Sequence, residues 1–240
     1  MNPLDVTISN RIFVVFQSGL CGEFIISMLT GMRNPDAFDY LDVTHAGSCH
    51  VNRRNEPEIK CRDRKLLEEQ LHETQFPTWL IKAHININDS DLVLKRYPDS
   101  KVVVMTQDLP DSYRGFTNFI HKAVLAEWEN YGREAYNEAS GLDPIKEKRD
   151  IKRAGIDNLY IRFKDPDHFP IEVHGKMARY IGRYITFPID VLYNDRTGTF
   201  KMLEHISGLE MNPRAEKFYD TYIANQPSKE FILRWWNSLK

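Results

Sequence analysis

Short apolar runs alternate with amphipathic stretches along much of the chain. Arg11 to Phe16 (RIFVVF), Thr78 to Ala83 (TWLIKA) and Lys101 to Thr106 (KVVVMT) are β-branched, apolar runs. Runs of this length and type predict strands of a buried parallel sheet. Asp39 to Val43 and Ile189 to Tyr193 are predicted as two further short strands. Glu23 to Thr30 is strongly apolar and stops at Gly31, which predicts a helix with a glycine just beyond its end. Asp63 is predicted to cap an amphipathic helix with Leu66, Leu67 and Leu71 on one face. Ser90 to Tyr97 forms a short helix ended by Pro98, and Asp108 opens a long one through Phe116, Phe119, Ile120 and Leu125. Thr197 to Ser207 is a helix closed by Gly208, and Pro213 and Ser228 open two more. His45 to Cys61 is polar and without periodicity, and predicts a long surface loop. From Tyr136 to Phe187 the pattern is weaker, with charged helical pieces interrupted by Gly141, Pro144, Pro166 and Pro170.

Strands separated by helices imply βαβ units, whose ligands bind beyond the carboxyl ends of the strands. The expectation is one α/β domain over residues 1–240, three layers (α/β/α) around a mostly parallel sheet of about five strands. Composition agrees: 42% hydrophobic and 28% charged residues in 240 describe a globular chain long enough for one filled core. A formal net charge of -2 supplies no broad basic field, so nucleic acid is not an expected partner and any anionic ligand needs local groups. Three cysteines cannot all pair within the chain, which suits a reducing compartment. No apolar run reaches the ~18 residues of a membrane span, and Met1 to Asn10 lacks signal-peptide character. A cytoplasmic protein without an integral membrane segment is expected, with oligomerisation left open.

Two places carry candidate chemistry. The predicted first strand runs abruptly into Gln17, Ser18, Gly19, Leu20, Cys21, Gly22 and Glu23, a compact turn opening a helix. Backbone N–H groups from Gly19 to Glu23 would cradle an anion there, although a first-turn carboxylate such as Glu23 competes with it. The other place is Lys82 and His84, near the end of the TWLIKA run. An imidazole titrates near neutrality, so His84 suits a general base, while Lys82 can stabilise developing negative charge. The alternatives are a histidine hydrogen-bonded to a neighbouring loop, a solvated lysine on the sheet edge, and an ordinary tight turn at Ser18 and Gly19.

Three segments together resemble the sulfotransferase family, which has a P-loop-like fold. The strand, turn and helix at Phe13 to Leu29 are similar to that family's nucleotide-sulfate loop, with Ser18 and Gly19 matching and Gln17, Leu20 and Cys21 departing. Leu80 to Ile85 (LIKAHI) resembles the Ile-Lys-Thr-His-Leu segment, whose histidine is the base and whose lysine assists. Lys101 to Phe119 resembles the strand and helix of the 3′-phosphate contacts, with Gln107 at the arginine position and Gly115 at the serine position. A fourth segment, Val191 to Asp195 with the helix after it, also resembles the family's Tyr-Glu-Asp strand end. The resemblance implies a transferase that moves a sulfuryl group from 3′-phosphoadenosine 5′-phosphosulfate to a hydroxyl or amine of a saccharide, lipid, small molecule or protein, without a metal.

Magnitudes set what the departures require. Losing the loop cation and the arginine at 107 removes about 3 to 6 kcal/mol, roughly two to four powers of ten in affinity, unless other groups replace them. Arg114 is the leading replacement, with Ser112 and Asn118 as neutral donors and Arg53, Arg54, Arg62 or Arg64 as more distant cations. A binding module that keeps the fold without catalysis is one alternative. A kinase-like phosphotransferase is another, disfavoured because no Lys-Ser or Lys-Thr follows Gly19 and Gly22. His45, Cys49, His50 and Cys61 lack the paired spacing of a zinc site.

Overall fold

The computed structural model describes residues 10–16, 20–40, 58–61, 63–73, 76, 78–106 and 177–225. Its frame is a five-stranded, all-parallel sheet in the order β2-β3-β1-β4-β5, formed by β1 (Ile12–Val15), β2 (Glu58–Cys61), β3 (Leu80–Ile85), β4 (Lys101–Thr106) and β5 (Tyr184–Pro188). β1 lies at the centre, with Val15 opposite Ala83 of β3 on one side and Val104 of β4 on the other. Every β1 residue is buried, as a strand covered on both faces must be.

The helices are α1 (Gly22–Arg33), α2 (Arg64–Glu73), α3 (Ser90–Arg96), α4 (Ile189–Asn194), α5 (Arg196–Ser207) and α6 (Pro213–Ala224), with a 3-10 turn over Pro35–Tyr40. Side-chain alternation divides the core into two layers. Ile12, Val14, Val103 and Met105 face α1, α4, α5 and α6, while Phe13, Val15, Ile81 and Val104 face α2 and α3. The chain is thus an α/β protein with helices on both faces of a parallel sheet. Among the described residues, no helix is long and apolar enough to cross a membrane.

This topology fixes where a ligand can enter. The helix that follows β1 packs on one face and the helix that follows β3 on the other, although β1 and β3 are neighbours. Connections that diverge from adjacent strands leave a crevice at the carboxyl ends of those strands.

Several boundaries differ from expectation. Part of the predicted strand at 39–43 is the 3-10 turn, and residues 41–43 lie outside the described residues. The second strand falls instead at Glu58–Cys61, within the predicted loop, because an edge strand needs apolar residues only at alternate positions and Ile59 and Cys61 supply them. Ile189 to Tyr193 is helical, and the last strand precedes it. Pro188 ends that strand, lacking the N–H a ladder needs, and its extended backbone caps α4. On α2, Leu67 and Leu71 are buried but Leu66 is 54% exposed, since only the i, i+4 pair shares the inner stripe. The helices predicted from Asp108 and Ser228 lie outside the described residues.

Gly31 does not end α1, which runs on to Arg33 with Asn34 as its cap, but other local signals hold. The Asp63 carboxylate accepts from Leu66 N–H at 3.0 Å, and Gly208 closes α5 at φ 71°, a conformation cheap only for glycine. Asn212 caps α6, its side chain accepting from Ala215 N–H at 2.9 Å, with Pro213 in the first turn. Asn212→Ala is expected to cost about 1 kcal/mol, a fall of roughly 2–4 °C in Tm by calorimetry.

Candidate functional site

Lys82 and His84 are two residues apart in β3, so both side chains leave the same face of the sheet, opposite the buried Ile81, Ala83 and Ile85. The strand extends to Ile85, which places His84 within it and not beyond its end as expected. α1 covers this face. Its second residue, Glu23, meets Lys82 in an ion pair, and Glu58 of the edge strand lies 3.8 Å from the same ammonium. Glu58 Oε1 is also 3.5 Å from His84 Nε2. Two carboxylates, one ammonium and one imidazole therefore form a single half-buried cluster beside the β1–β3 crevice.

The end of β1 orients the imidazole. His84 Nδ1 lies 3.0 Å from the Phe16 carbonyl oxygen, and the Phe16 ring meets the imidazole edge-on at 4.4 Å between centroids. A carbonyl only accepts, so Nδ1 carries the hydrogen and donates it, leaving the lone pair of the neutral ring on Nε2. Burial, then the Lys82 charge, hold the His84 pKa below its ordinary 6.5, partly opposed by the Phe16 carbonyl and the two carboxylates. With its pKa held below 6.5 the ring is mainly uncharged at neutral pH, and Nε2, facing Glu58, carries the basic lone pair. The arrangement can take a proton at Nε2, and Glu58 then stabilises the resulting imidazolium.

The turn residues divide into groups. Gln17, Ser18 and Gly19 lie outside the described residues, as do Gln107, Ser112, Arg114 and Gly115. Leu20 is fully buried in the core. Cys21 precedes α1 in the left-handed conformation at φ 58°, and its thiol turns inward to the hydroxyls of Tyr222 at 3.2 Å and Tyr193 at 3.3 Å. Gly22 is required there, because a Cβ would run into the Phe16 ring. Leu20, Cys21 and Gly22 thus offer backbone, not side chains, to any ligand, and Glu23 offers a carboxylate already engaged by Lys82.

Of the more distant cations, Arg64 is bound to Asp89 at 2.5 Å and Asp91 at 3.2 Å on the α2–α3 side, so it does not reach the Lys82 face. Arg53, Arg54, Arg62 and Asn118 lie outside the described residues. The Cys61 thiol donates to the Asp63 carbonyl at 3.2 Å, whereas His45, Cys49 and His50 are outside them. Among the described residues, no group of three or more His, Cys, Asp or Glu side chains is placed to hold a metal. A separate open groove of about 610 Å³ lies between α5 and α6, lined by Arg196, Glu216, Lys217 and Asp220, and no member of the Lys82–His84 cluster lines it.

No protein-family model, curated protein or solved structure matches this chain. The one member of the Lys82–His84 cluster absent from the sequence expectations is Glu58. The alternation Glu58, Ile59, Lys60, Cys61 was the available signal, and four residues of alternation inside a polar stretch are too few to stand out.

Proposed function

We propose that this protein is a sulfotransferase-like enzyme that moves a sulfuryl group from 3′-phosphoadenosine 5′-phosphosulfate to a hydroxyl or amine acceptor. The observation that carries this reading is the imidazole of His84. It is oriented by the Phe16 carbonyl, kept neutral by burial and set beside Lys82 at the crevice of a parallel sheet. In the reaction, Nε2 of His84 takes the proton of the acceptor hydroxyl while its oxygen attacks sulfur. The bond from sulfur to the bridging phosphate oxygen breaks, and Lys82 stabilises the charge left on that oxygen. First-turn N–H groups of α1, which have no intrahelical acceptor, are suited to the phosphosulfate oxygens. A reducing, cytoplasmic setting accompanies this reading, since three cysteines cannot all pair within the chain.

The test is a thermal-shift titration. Adenosine 3′,5′-bisphosphate at 100 times its Kd should stabilise the fold by about 2.7 kcal/mol, while ATP with magnesium should have no effect. A response to ATP with magnesium alone would point to a kinase-like phosphotransferase. A second reading, a binding module on this fold without catalysis, is favoured by the burial of Leu20 and Cys21 at the turn. No response to either nucleotide would favour it.

A further inference from the structure

We infer that Glu23 gates the anion site by occupying Lys82. The inference rests on the donor reading above for the kind of anion involved, and on the cluster's geometry for the gate itself. Lys82 reaches from β3 to the first turn of α1, where its ammonium meets the Glu23 carboxylate. Glu58 stands 3.8 Å from the same ammonium, and His84 is held toward its neutral form by burial. Counting these four groups with His84 neutral, two negative charges face one positive charge, a net of -1. A phosphosulfate or phosphate arriving at this turn therefore meets a cation that is already neutralised, with a surplus carboxylate beside it.

Glu23 occupies the position that decides the outcome. As the second residue of α1 its carboxylate lies where the helix dipole favours negative charge, the same place an external anion would occupy. Glu23 and the anion thus compete for both the first helical turn and Lys82. Both side chains are about one-fifth exposed (22% and 23%), so the pair is not sealed in the core. Lys82 can then exchange one carboxylate partner for a phosphate or sulfate partner. The site is closed to weakly held anions and opens to one with enough additional contacts to displace Glu23.

The experiment is isothermal titration calorimetry on the full chain, with adenosine 3′,5′-bisphosphate and sodium sulfate as separate probes. Wild type, Glu23→Gln and the double variant Glu23→Gln/Lys82→Met are compared. The expected result is that Glu23→Gln binds the bisphosphate about tenfold tighter than wild type, equivalent to ~1.4 kcal/mol, and that the double variant loses the gain. Wild-type binding that is unchanged or weaker in Glu23→Gln overturns the gate and leaves the donor reading standing. A gain that survives loss of Lys82 also overturns the gate. If no form binds the bisphosphate but Glu23→Gln acquires sulfate binding through Lys82, the gate stands and the donor reading falls. Absence of binding by either probe to any form overturns both. Circular dichroism establishes that the variants fold. Should Glu23→Gln fail to fold, Glu23→Ala, which also removes the charge, takes its place under the same outcomes.

Discussion

Under the proposed function, replacing His84 with asparagine is expected to slow sulfuryl transfer by about 10²–10⁴-fold, the usual worth of a positioned general base. Asparagine keeps a donor for the Phe16 carbonyl, so the substitution removes proton acceptance at Nε2 and leaves the strand-end contact in place. The fall should lie in kcat, with little change in donor KM. A variant that retains wild-type turnover would remove His84 from the mechanism.

The pH profile supplies a second readout. Burial and the Lys82 charge lower the folded pKa of His84, so activity should rise with pH through a limb that lies below 6.5 and is missing in His84→Asn. Glu58→Gln should move the limb to still lower pH, because the Glu58 carboxylate favours the imidazolium. The same shift acts on stability. Between the lowered folded value and 6.5 the unfolded chain binds more protons than the folded one, so stability is fully present above 6.5 and declines as pH falls through that window. Denaturant midpoints across the window should show this decline in wild type and a smaller one in His84→Asn.

Strands were legible where burial on both faces leaves an unbroken apolar run. Lys101 to Thr106 is the clearest case, and five of its six residues are buried. Helix ends were legible where a single residue type carries the geometry, as with Gly208 and Asn212. The edge strand was not, because with one neighbour and one open side it needs only Ile59 and Cys61 as apolar residues. β5 was displaced by a few residues because Ile189, Val191 and Leu192 are as apolar as a strand, and the proline before them decides the boundary. Of the site, Lys82 and His84 were visible as residue types at a spacing that shares a sheet face. Glu58 was not visible, and Glu23 was visible only as a turn residue; their pairing with Lys82 was not, since they lie 24 and 59 positions from it and meet it only after the sheet order is set.

Phe24→Ala is expected to destabilise the protein by about 3–5 kcal/mol, a large part of the roughly 5–15 kcal/mol that holds a typical domain folded. Phe24 is fully buried, stacked on Tyr222 at 3.8 Å between centroids and 17° between planes, and parallel to Phe218 at 5.8 Å. Both partners belong to α6, so the ring joins α1 to α6 across the core. Alanine would leave a cavity between two helices that are each fixed to other elements, and little collapse can refill it. Phe24→Leu should recover most of the loss, and denaturant unfolding with an unchanged m-value would measure both. A loss below about 1 kcal/mol would mean that the helices close around the gap, which a rigid α1–α6 contact does not allow. Glu23, the preceding residue, points to the sheet and holds Lys82. Adjacent positions in one helical turn thus fix the start of α1 to α6 on one side and to the ionisable cluster on the other. Loosening the Phe24 contact should therefore also weaken the Glu23–Lys82 pair. At temperatures where Phe24→Ala remains folded, a freed Lys82 should let it bind adenosine 3′,5′-bisphosphate more tightly than wild type, read by calorimetry on the folded variant.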